Sequence, residues 1–208
     1  MATFLPRMAR RVLPAAIALS ASAGCALSTR NAILIYPPTP SSSGVAVAQA
    51  AEAPTTNNIS IVVLPFDDRR DDTTNVGTVR NGFGMKTAPV RAENSVPMWI
   101  QDALVLDLRQ AGFSVSTSAS APDSSLALGG EILKVYADAY FAYSAEVSLF
   151  VRLTREGREI LGHSYVGTGS AGTNVTATAK SYAQSLALAL ADALRQVVPD
   201  VEKAIASE

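Results

Sequence analysis

The chain has 208 residues and a formal net charge of −1, which excludes the strongly basic surface typical of nucleic-acid-binding proteins. It contains one cysteine and one histidine, so it offers neither an intramolecular disulfide nor a usual zinc site, and we predict no metal and no cofactor. After the first 25 residues, no stretch approaches the roughly 18 consecutive apolar residues of a transmembrane helix. We therefore expect one soluble domain of about 150 residues, which is enough to bury a core.

Residues 1–24 have the pattern of a secretory signal peptide. Arg7, Arg10 and Arg11 give a positively charged start, residues 12–21 form an apolar run too short to cross a bilayer, and small residues occupy positions 22–24. This combination predicts export from the cytoplasm. The Arg10-Arg11 pair also suits a twin-arginine signal, but Pro14 and the flanking residues make that a minor alternative.

Ala23-Gly24-Cys25 resembles a lipobox, in which a peptidase cuts between Gly24 and Cys25 and the cysteine thiol carries diacylglycerol. Ser22 stands where Leu, Val or Ile is usual, and the alternative is ordinary cleavage after Ala23 that leaves a free thiol. A single cysteine at the end of the apolar run favours lipidation of Cys25, and two acyl chains are enough for stable anchoring. Ala26 resembles the outer-membrane-directed pattern of such lipoproteins, so we expect an anchor facing the periplasm.

Residues 25–57 are rich in Ala, Ser, Thr and Pro and include Pro37-Pro38-Thr39-Pro40. Such a composition buries too little apolar surface to offset its ordering entropy, so we predict a lipidated N-terminus followed by a disordered tether. The short apolar patch Ile33–Tyr36 is an exception that can pack against the domain. The folded domain is expected to cover residues 58–208.

The domain opens with the β-branched run Ile59–Phe66, which predicts a buried strand. Six charged residues follow at positions 67–72. They suit a docking surface, but a self-neutralising solvated loop is the favoured interpretation. From Thr73 to Asn94 polar residues dominate, and Gly77, Gly82 and Gly84 predict an irregular excursion.

A helix is predicted next, with Ser95 as its N-cap, Pro97 in the first turn and Gly112 after its end. Its apolar residues recur at helical spacing: Trp99, Ile100, Ala103, Leu104 and Leu108. Trp99 is therefore expected in the core rather than stacked on a ligand. Residues 113–117 predict a short strand after the helix.

Three further strands are predicted at 126–137, 141–154 and 159–169, with Glu156-Gly157 as a hairpin turn between the last two. In residues 141–154 every second side chain is apolar, and the residues between them are polar except for Ala142 and Phe150, which is typical of a half-buried strand. The predicted apolar face consists of Phe141, Tyr143, Ala145, Val147, Leu149, Val151 and Leu153. A final helix capped by Asn174 follows, and Pro199 ends or kinks it. Its predicted apolar face consists of Val175, Ala179, Tyr182, Leu186, Leu190, Ala193 and Val197.

The order β-α-β-β-β-β-α predicts a two-layer α+β domain, in which an antiparallel or mixed sheet carries helices on one face.

No residue set predicts catalysis. Gly167–Gly172 matches the G-x-G-x-x-G pattern, but too little chain follows for a second parallel strand, so a turn or strand-end bulge is favoured over a phosphate site. His163 has no orienting acid in sequence and is expected on a strand surface. The carboxylates Glu131, Asp138 and Glu146 lie on predicted strands, and sequence places no two of them across a cleft.

Three segments together resemble the YajG family of bacterial lipoproteins: Gly77–Gly82, the helix end and turn Leu108–Val115, and the strand Ile132–Asp138. The similarity extends over residues 59–205 and agrees with the leader that ends at Cys25. The resemblance implies an anchored, non-enzymatic envelope protein, and it brings no catalytic residues.

We therefore expect a domain that contacts another envelope protein, through the polar face of strand 141–154 or through residues 67–94. An accessory lipoprotein of a lipid or solute transport complex is the alternative, and an enzyme acting on cell-wall polymer is a third, weaker one.

Overall fold

The computed structural model describes residues 28–36, 59–122, 125–173 and 178–207. The predicted signal peptide, Cys25 and most of the predicted tether lie outside these ranges. The described residues form eight strands and two helices, in the order β1 (Arg30–Ala32), β2 (Ser60–Asp68), β3 (Asn75–Arg80), β4 (Lys86–Ala92), α1 (Val96–Gln110), β5 (Ser114–Thr117), β6 (Leu126–Ala139), β7 (Ala142–Arg155), β8 (Arg158–Thr173) and α2 (Ala179–Ala206).

The eight strands form one mixed sheet organised around β6. β6 pairs antiparallel with β7 over its whole length, and β7 pairs antiparallel with β8. The other edge of β6 is divided: β2 pairs with residues 126–132 and β3 with residues 137–139, both parallel. From there the sheet continues as two arms, one through β2 to β5 and one through β3 and β4 to β1.

Both helices lie on the same face of this sheet, as predicted for a two-layer α+β domain. α2 packs mainly on β7 and β8, α1 packs on β2 and β5, and the two helices touch. Successive side chains of a strand point to opposite faces of the sheet, so every second residue points towards the helices and lies in the core. In β7 these core residues include Val147, Leu149, Val151 and Leu153.

α1 begins and ends where the sequence predicts. The Ser95 hydroxyl accepts a hydrogen bond from the Met98 amide, and Gly112 follows the helix with φ +90°. Trp99 is buried in the core between α1 and the sheet. Its position confirms the prediction of a core residue.

α2 differs from the prediction at both ends. Thr178, not Asn174, caps the helix: its side chain accepts from the Ser181 amide, and its own amide donates to the Tyr143 hydroxyl at 3.0 Å. Asn174 and Val175 lie outside the described residues. The helix continues through Pro199 to Ala206, so the prediction that Pro199 ends it is wrong.

The predicted irregular excursion at residues 73–94 is wrong, because β3 and β4 form an antiparallel hairpin there. Gly77 belongs to β3, where a Cβ would overlap the carbonyl oxygen of Ala137 on β6. This glycine therefore permits a close strand approach, whereas the sequence favoured a loop. Gly82 and Gly84 do lie in the turn between the strands.

The predicted tether at residues 25–57 is wrong over residues 30–32, whereas the predicted packing of the apolar patch Ile33–Tyr36 against the domain is confirmed. β1 pairs with β4, and Leu34 is buried. The Asn94 side chain forms two hydrogen bonds with the backbone of Leu34: its oxygen accepts from the Leu34 N–H at 2.8 Å, and its nitrogen donates to the Leu34 carbonyl at 2.9 Å. The folded unit therefore includes both β1 and the apolar patch Ile33–Tyr36, although the sequence pattern does not predict the strand β1.

The Gly167–Gly172 segment belongs to β8 and lies under α2. A Cβ on Gly167 would overlap the carbonyl oxygen of Ala189 and the amide nitrogen of Ala193, and a Cβ on Gly169 would overlap the carbonyl oxygen of Ser185. These two glycines let helix and strand pack backbone to backbone, so the predicted turn is wrong for them. The predicted strand-end bulge is confirmed next to Gly172, where the β7–β8 register shifts and φ is +81°.

Gly167→Ala tests this close packing. We expect the free energy of unfolding to fall by about 1–3 kcal/mol, because the added methyl group must push α2 away from β8. The measurement is urea unfolding followed by circular dichroism. Gly82→Ala is the control, since a Cβ there meets no atom within 4 Å, and its effect should stay within about 0.5 kcal/mol. Equal effects of the two substitutions would contradict the packing argument.

Candidate interaction surface

Among the described residues, neither helix covers the face of β6, β7 and β8 that points away from α1 and α2. We call it the open face. Its β7 residues are those that alternate with the core positions, namely Ser144, Glu146, Ser148, Phe150 and Arg152. In the sheet register they lie beside Asp138, Tyr136, Lys134, Glu131 and Gly129 of β6, and beside Ser170, Thr168, Val166, Ser164 and Gly162 of β8. The predicted half-buried strand with one polar face is confirmed.

Ion pairs between neighbouring strands neutralise much of the charge on this face. Lys134 on β6 pairs with Glu146 on β7 at 2.8 Å, and Arg152 on β7 pairs with Glu159 on β8 at 2.7 Å. The Arg152 guanidinium also lies 5.5 Å from the centre of the Phe150 ring. Because these side chains are half exposed, the pairs add little stability, but they give the surface a fixed pattern of charges.

Two shallow grooves lie on the open face. The larger one, about 550 Å³, is lined by polar side chains that include Tyr136, Glu146 and Thr168. The smaller one, about 300 Å³, lies near the opposite end of β6, between β2 and β7, and includes Leu64, Gly129 and Phe150. Both are open to solvent, and neither is an enclosed cavity of the kind that buries most of a small molecule.

The outer edge of β8 is blocked where α2 crosses it. Asp192 accepts a hydrogen bond from the Thr168 amide at 3.0 Å, and Gln196 donates to the Val166 carbonyl at 3.0 Å. These bonds use backbone groups that an added strand would need. The other two edge strands, β1 and β5, have three and four residues. Face contact is therefore better supported by this sheet than strand addition.

The charged run at residues 67–72 forms the turn between β2 and β3. Arg70 pairs with Asp68 at 2.7 Å, with side chains only 6% and 11% exposed, and donates to the carbonyls of Thr73 and Asn75. Asp72 accepts from the amides of Thr74 and Asn75. The predicted self-neutralisation is confirmed, but the predicted solvation is wrong for this buried pair.

The hydrogen bonds at Asp72 and the salt bridge at Arg80 each stabilise the charged form of the side chain. Bonds from Thr74 and Asn75 lower the pKa of the exposed Asp72 carboxyl, since they stabilise its charged form. The hydrogen bond to Asp138 raises the pKa of the Arg80 guanidinium. Both groups therefore keep their charges over the whole range near neutral pH.

The structure brings two of the candidate carboxylates together, because Asp138 and Glu146 line the larger groove, while Glu131 lines the smaller one. Each of the three lies beside a cation. Asp138 binds Arg80 at 2.6 Å, Glu146 binds Lys134, and Glu131 lies 3.6 Å from Arg69. His163 is exposed on β8 beside the Tyr165 ring, as predicted. The described residues contain no group of three or more His, Cys, Asp or Glu side chains that could hold a metal.

Two tyrosines, the partly buried Tyr36 and the buried Tyr165, form hydrogen bonds to the helices. The Tyr36 hydroxyl donates to Asp107 of α1 at 2.7 Å, and the Tyr165 hydroxyl donates to Asp200 of α2 at 2.9 Å. Burial, followed by the hydrogen bond to the carboxylate, raises the pKa of both phenols well above the usual value. Burial also raises the pKa of the Asp107 carboxyl.

In the described part of the chain, neither helix has the length and apolar character needed to cross a membrane.

Comparisons with known proteins give one family and a shared fold. The family model of an uncharacterized lipoprotein matches residues 47–204. Protein XCC0632 from Xanthomonas campestris is similar over 86% of this chain and 97% of its own, with a TM-score of 0.58 and 12% identity. The hypothetical protein CT253 from Chlamydia trachomatis is similar over 73% of this chain and 100% of its own, with a TM-score of 0.52 and 13% identity. No curated protein matches the chain.

Arg70→Ala should be far more damaging than Arg69→Ala. Removing Arg70 leaves the Asp68 carboxylate buried without its partner, so we expect a loss of about 3–5 kcal/mol in the free energy of unfolding. Arg69 pairs with Asp67 at 2.9 Å, but both side chains are more than half exposed, and its loss should cost about 0–1 kcal/mol. Urea unfolding measures both. A small effect at Arg70 would show that the buried pair does not hold the turn.

Proposed function

Because the chain belongs to the YajG family of uncharacterized lipoproteins, we propose that it is exported, acylated at Cys25 and anchored in the outer membrane with its domain facing the periplasm. We further propose that the domain is non-enzymatic and binds another envelope protein through the open face of β6, β7 and β8.

Three features support the anchor. The leader combines a basic start, a short apolar run and small residues before Cys25. The family match is to lipoproteins. In addition, the first described strand begins at Arg30, so only four residues separate it from Cys25 and the domain would lie close to the membrane surface.

The open face is the observation that carries the second half of the proposal. One side of the sheet is covered by α1 and α2, whereas β7, a central strand of 14 residues, presents its polar side to solvent. Its cross-strand ion pairs fix the positions of opposite charges, which favours a protein partner with a complementary charge pattern. Asp138 and Glu146 line the same groove, but each is bound by a cation, Arg80 and Lys134 respectively, which favours a binding surface over the acid and base roles of a cell-wall hydrolase.

Cys25→Ser tests the anchor. Without the thiol no diacylglycerol can be attached, so we expect the protein to leave the membrane fraction and its signal peptide to stay uncut or to be cut after Ala23. The measurements are membrane fractionation and the mass of the mature N-terminus. Ser22→Leu is the matched control, because it restores the usual lipobox residue and should leave anchoring intact. Normal processing and membrane fractionation of Cys25→Ser would contradict acylation.

A photo-crosslinking amino acid at Ser148 tests the open face in intact cells. Ser148 lies in the middle of β7 between the two ion pairs, so we expect one or a few discrete crosslinked products. The same amino acid at Glu202, exposed on α2, is the control and should give none of them. The additional substitution Arg152→Glu, which reverses one charge of the pattern, should weaken the Ser148 products. Products of equal strength from both positions would contradict a partner on the open face.

A further inference from the structure

Four exposed apolar side chains cluster at one end of the sheet, and we call them the apolar tip. The β3–β4 turn carries Phe83 and Met85, and the β6–β7 turn carries Tyr140 and Phe141; they are 88%, 59%, 44% and 77% exposed. The rings of Tyr140 and Phe141 lie 4.0 Å apart. A Cβ on Gly84 would come within 3.0 Å of the Tyr140 ring, so the two turns touch. Contiguous exposed apolar groups of this kind mark an interaction site.

Hydrogen bonds hold these side chains in their exposed positions. The Asn81 side chain accepts from the amides of Phe83 and Met85, both at 3.0 Å. Arg80 donates to the Gly84 carbonyl at 2.7 Å and forms two hydrogen bonds with Asp138 at 2.7 and 2.6 Å. The turn is thus fixed to β6 by its own polar groups. The apolar side chains point away from the core because of this fixed backbone, and not because the turn lacks structure.

The apolar tip lies at the end of the sheet from which the chain leads back to Cys25. β1 runs parallel to β4, with Arg30 beside Val90 and Ala32 beside Ala92. Followed backwards, β1 therefore leads towards the same end as Lys86 at the start of β4. Arg30 is five positions after Cys25, and five residue-to-residue steps of fully extended chain span at most about 18 Å. An acyl chain on Cys25 would enter the membrane within that distance of β1, on the side of the apolar tip.

The charges around the tip suit a membrane surface. Lys86 at the start of β4 and Lys180 in the first turn of α2 are both exposed, and the start of α2 is tied to this end by the bond between the Thr178 amide and the Tyr143 hydroxyl. The nearby acid, Asp138, is neutralised by Arg80. Aromatic rings flanked by basic side chains are typical of the lipid headgroup region.

We infer that the apolar tip inserts into the headgroup region of the membrane that holds the lipid anchor, as a second contact that fixes the orientation of the domain. This inference rests on the proposed acylation of Cys25. The axis of β6 and β7 then points away from the bilayer, and the β7–β8 turn at Glu156 lies farthest from it. In this orientation the plane of the open face is roughly perpendicular to the membrane surface, so a periplasmic protein can reach it.

The test uses the intact lipidated protein, isolated in mild detergent and reconstituted into vesicles of phosphatidylethanolamine and phosphatidylglycerol. Phe83→Cys, Phe141→Cys and, as the matched control, Glu156→Cys each carry an NBD fluorophore. We expect a blue shift of NBD emission and quenching by nitroxide-labelled lipid at positions 83 and 141, and emission as in water at position 156. All three positions are exposed turn residues, so the substitutions should leave the fold intact.

The outcomes separate this inference from the anchor itself. An acylated Cys25 takes up no thiol reagent, so labelling of the parent protein would show that the proposed anchor has failed. If the parent stays unlabelled and bound to vesicles, emission as in water at positions 83 and 141 would overturn the inference alone. A blue shift that the lipid nitroxides do not quench would assign the apolar tip to a second copy of the chain and would overturn it as well.

Discussion

The divided edge of β6 determines how the rest of the chain is arranged. β7 occupies one edge over residues 126–139, while β2 and β3 share the other edge end to end. These two strands follow each other in sequence, and both run parallel to β6. The connection between them, residues 69–74, must therefore leave the line of β2 and bring the chain back to the same direction for β3. The buried pair of Arg70 and Asp68 fixes that turn, and the Arg69 amide donates to the Ile132 carbonyl at its start.

Sequence patterns predicted the elements whose stability depends on local signals. β7 alternates without interruption, and α1 has its N-cap, its first-turn proline and its final glycine in the expected places. β1, β3 and β4 were missed because their signals are not local. Gly77 resembles a loop residue until β6 is placed beside it, and β1 exists only because β4 and Asn94 offer hydrogen bonds. Asn174 and Thr178 are both suitable cap residues by type, and the Thr178 amide also donates a tertiary hydrogen bond to the Tyr143 hydroxyl.

The candidate surfaces could be predicted only in part, for a related reason. The alternation of residues 141–154 indicates that one face of β7 is polar, and that face is the centre of the open surface. Its ion pairs depend on register, which no single strand specifies. The apolar tip was not predicted at all, since its two turns are more than fifty residues apart in sequence. The parallel pairing of β3 with the last residues of β6 brings them together.

The position of β1 also places the proposed maturation steps in an order. β1 pairs with β4, which follows it by about sixty residues, and Asn94 completes its attachment. An emerging chain therefore keeps the segment around Arg30 unpaired until residues beyond Asn94 have crossed the inner membrane. For the proposed cleavage before Cys25, this order has a consequence. Only residues 26–29 lie between Cys25 and β1, so a peptidase that needs several residues of accessible chain around its cleavage site would act most readily before β1 pairs with β4.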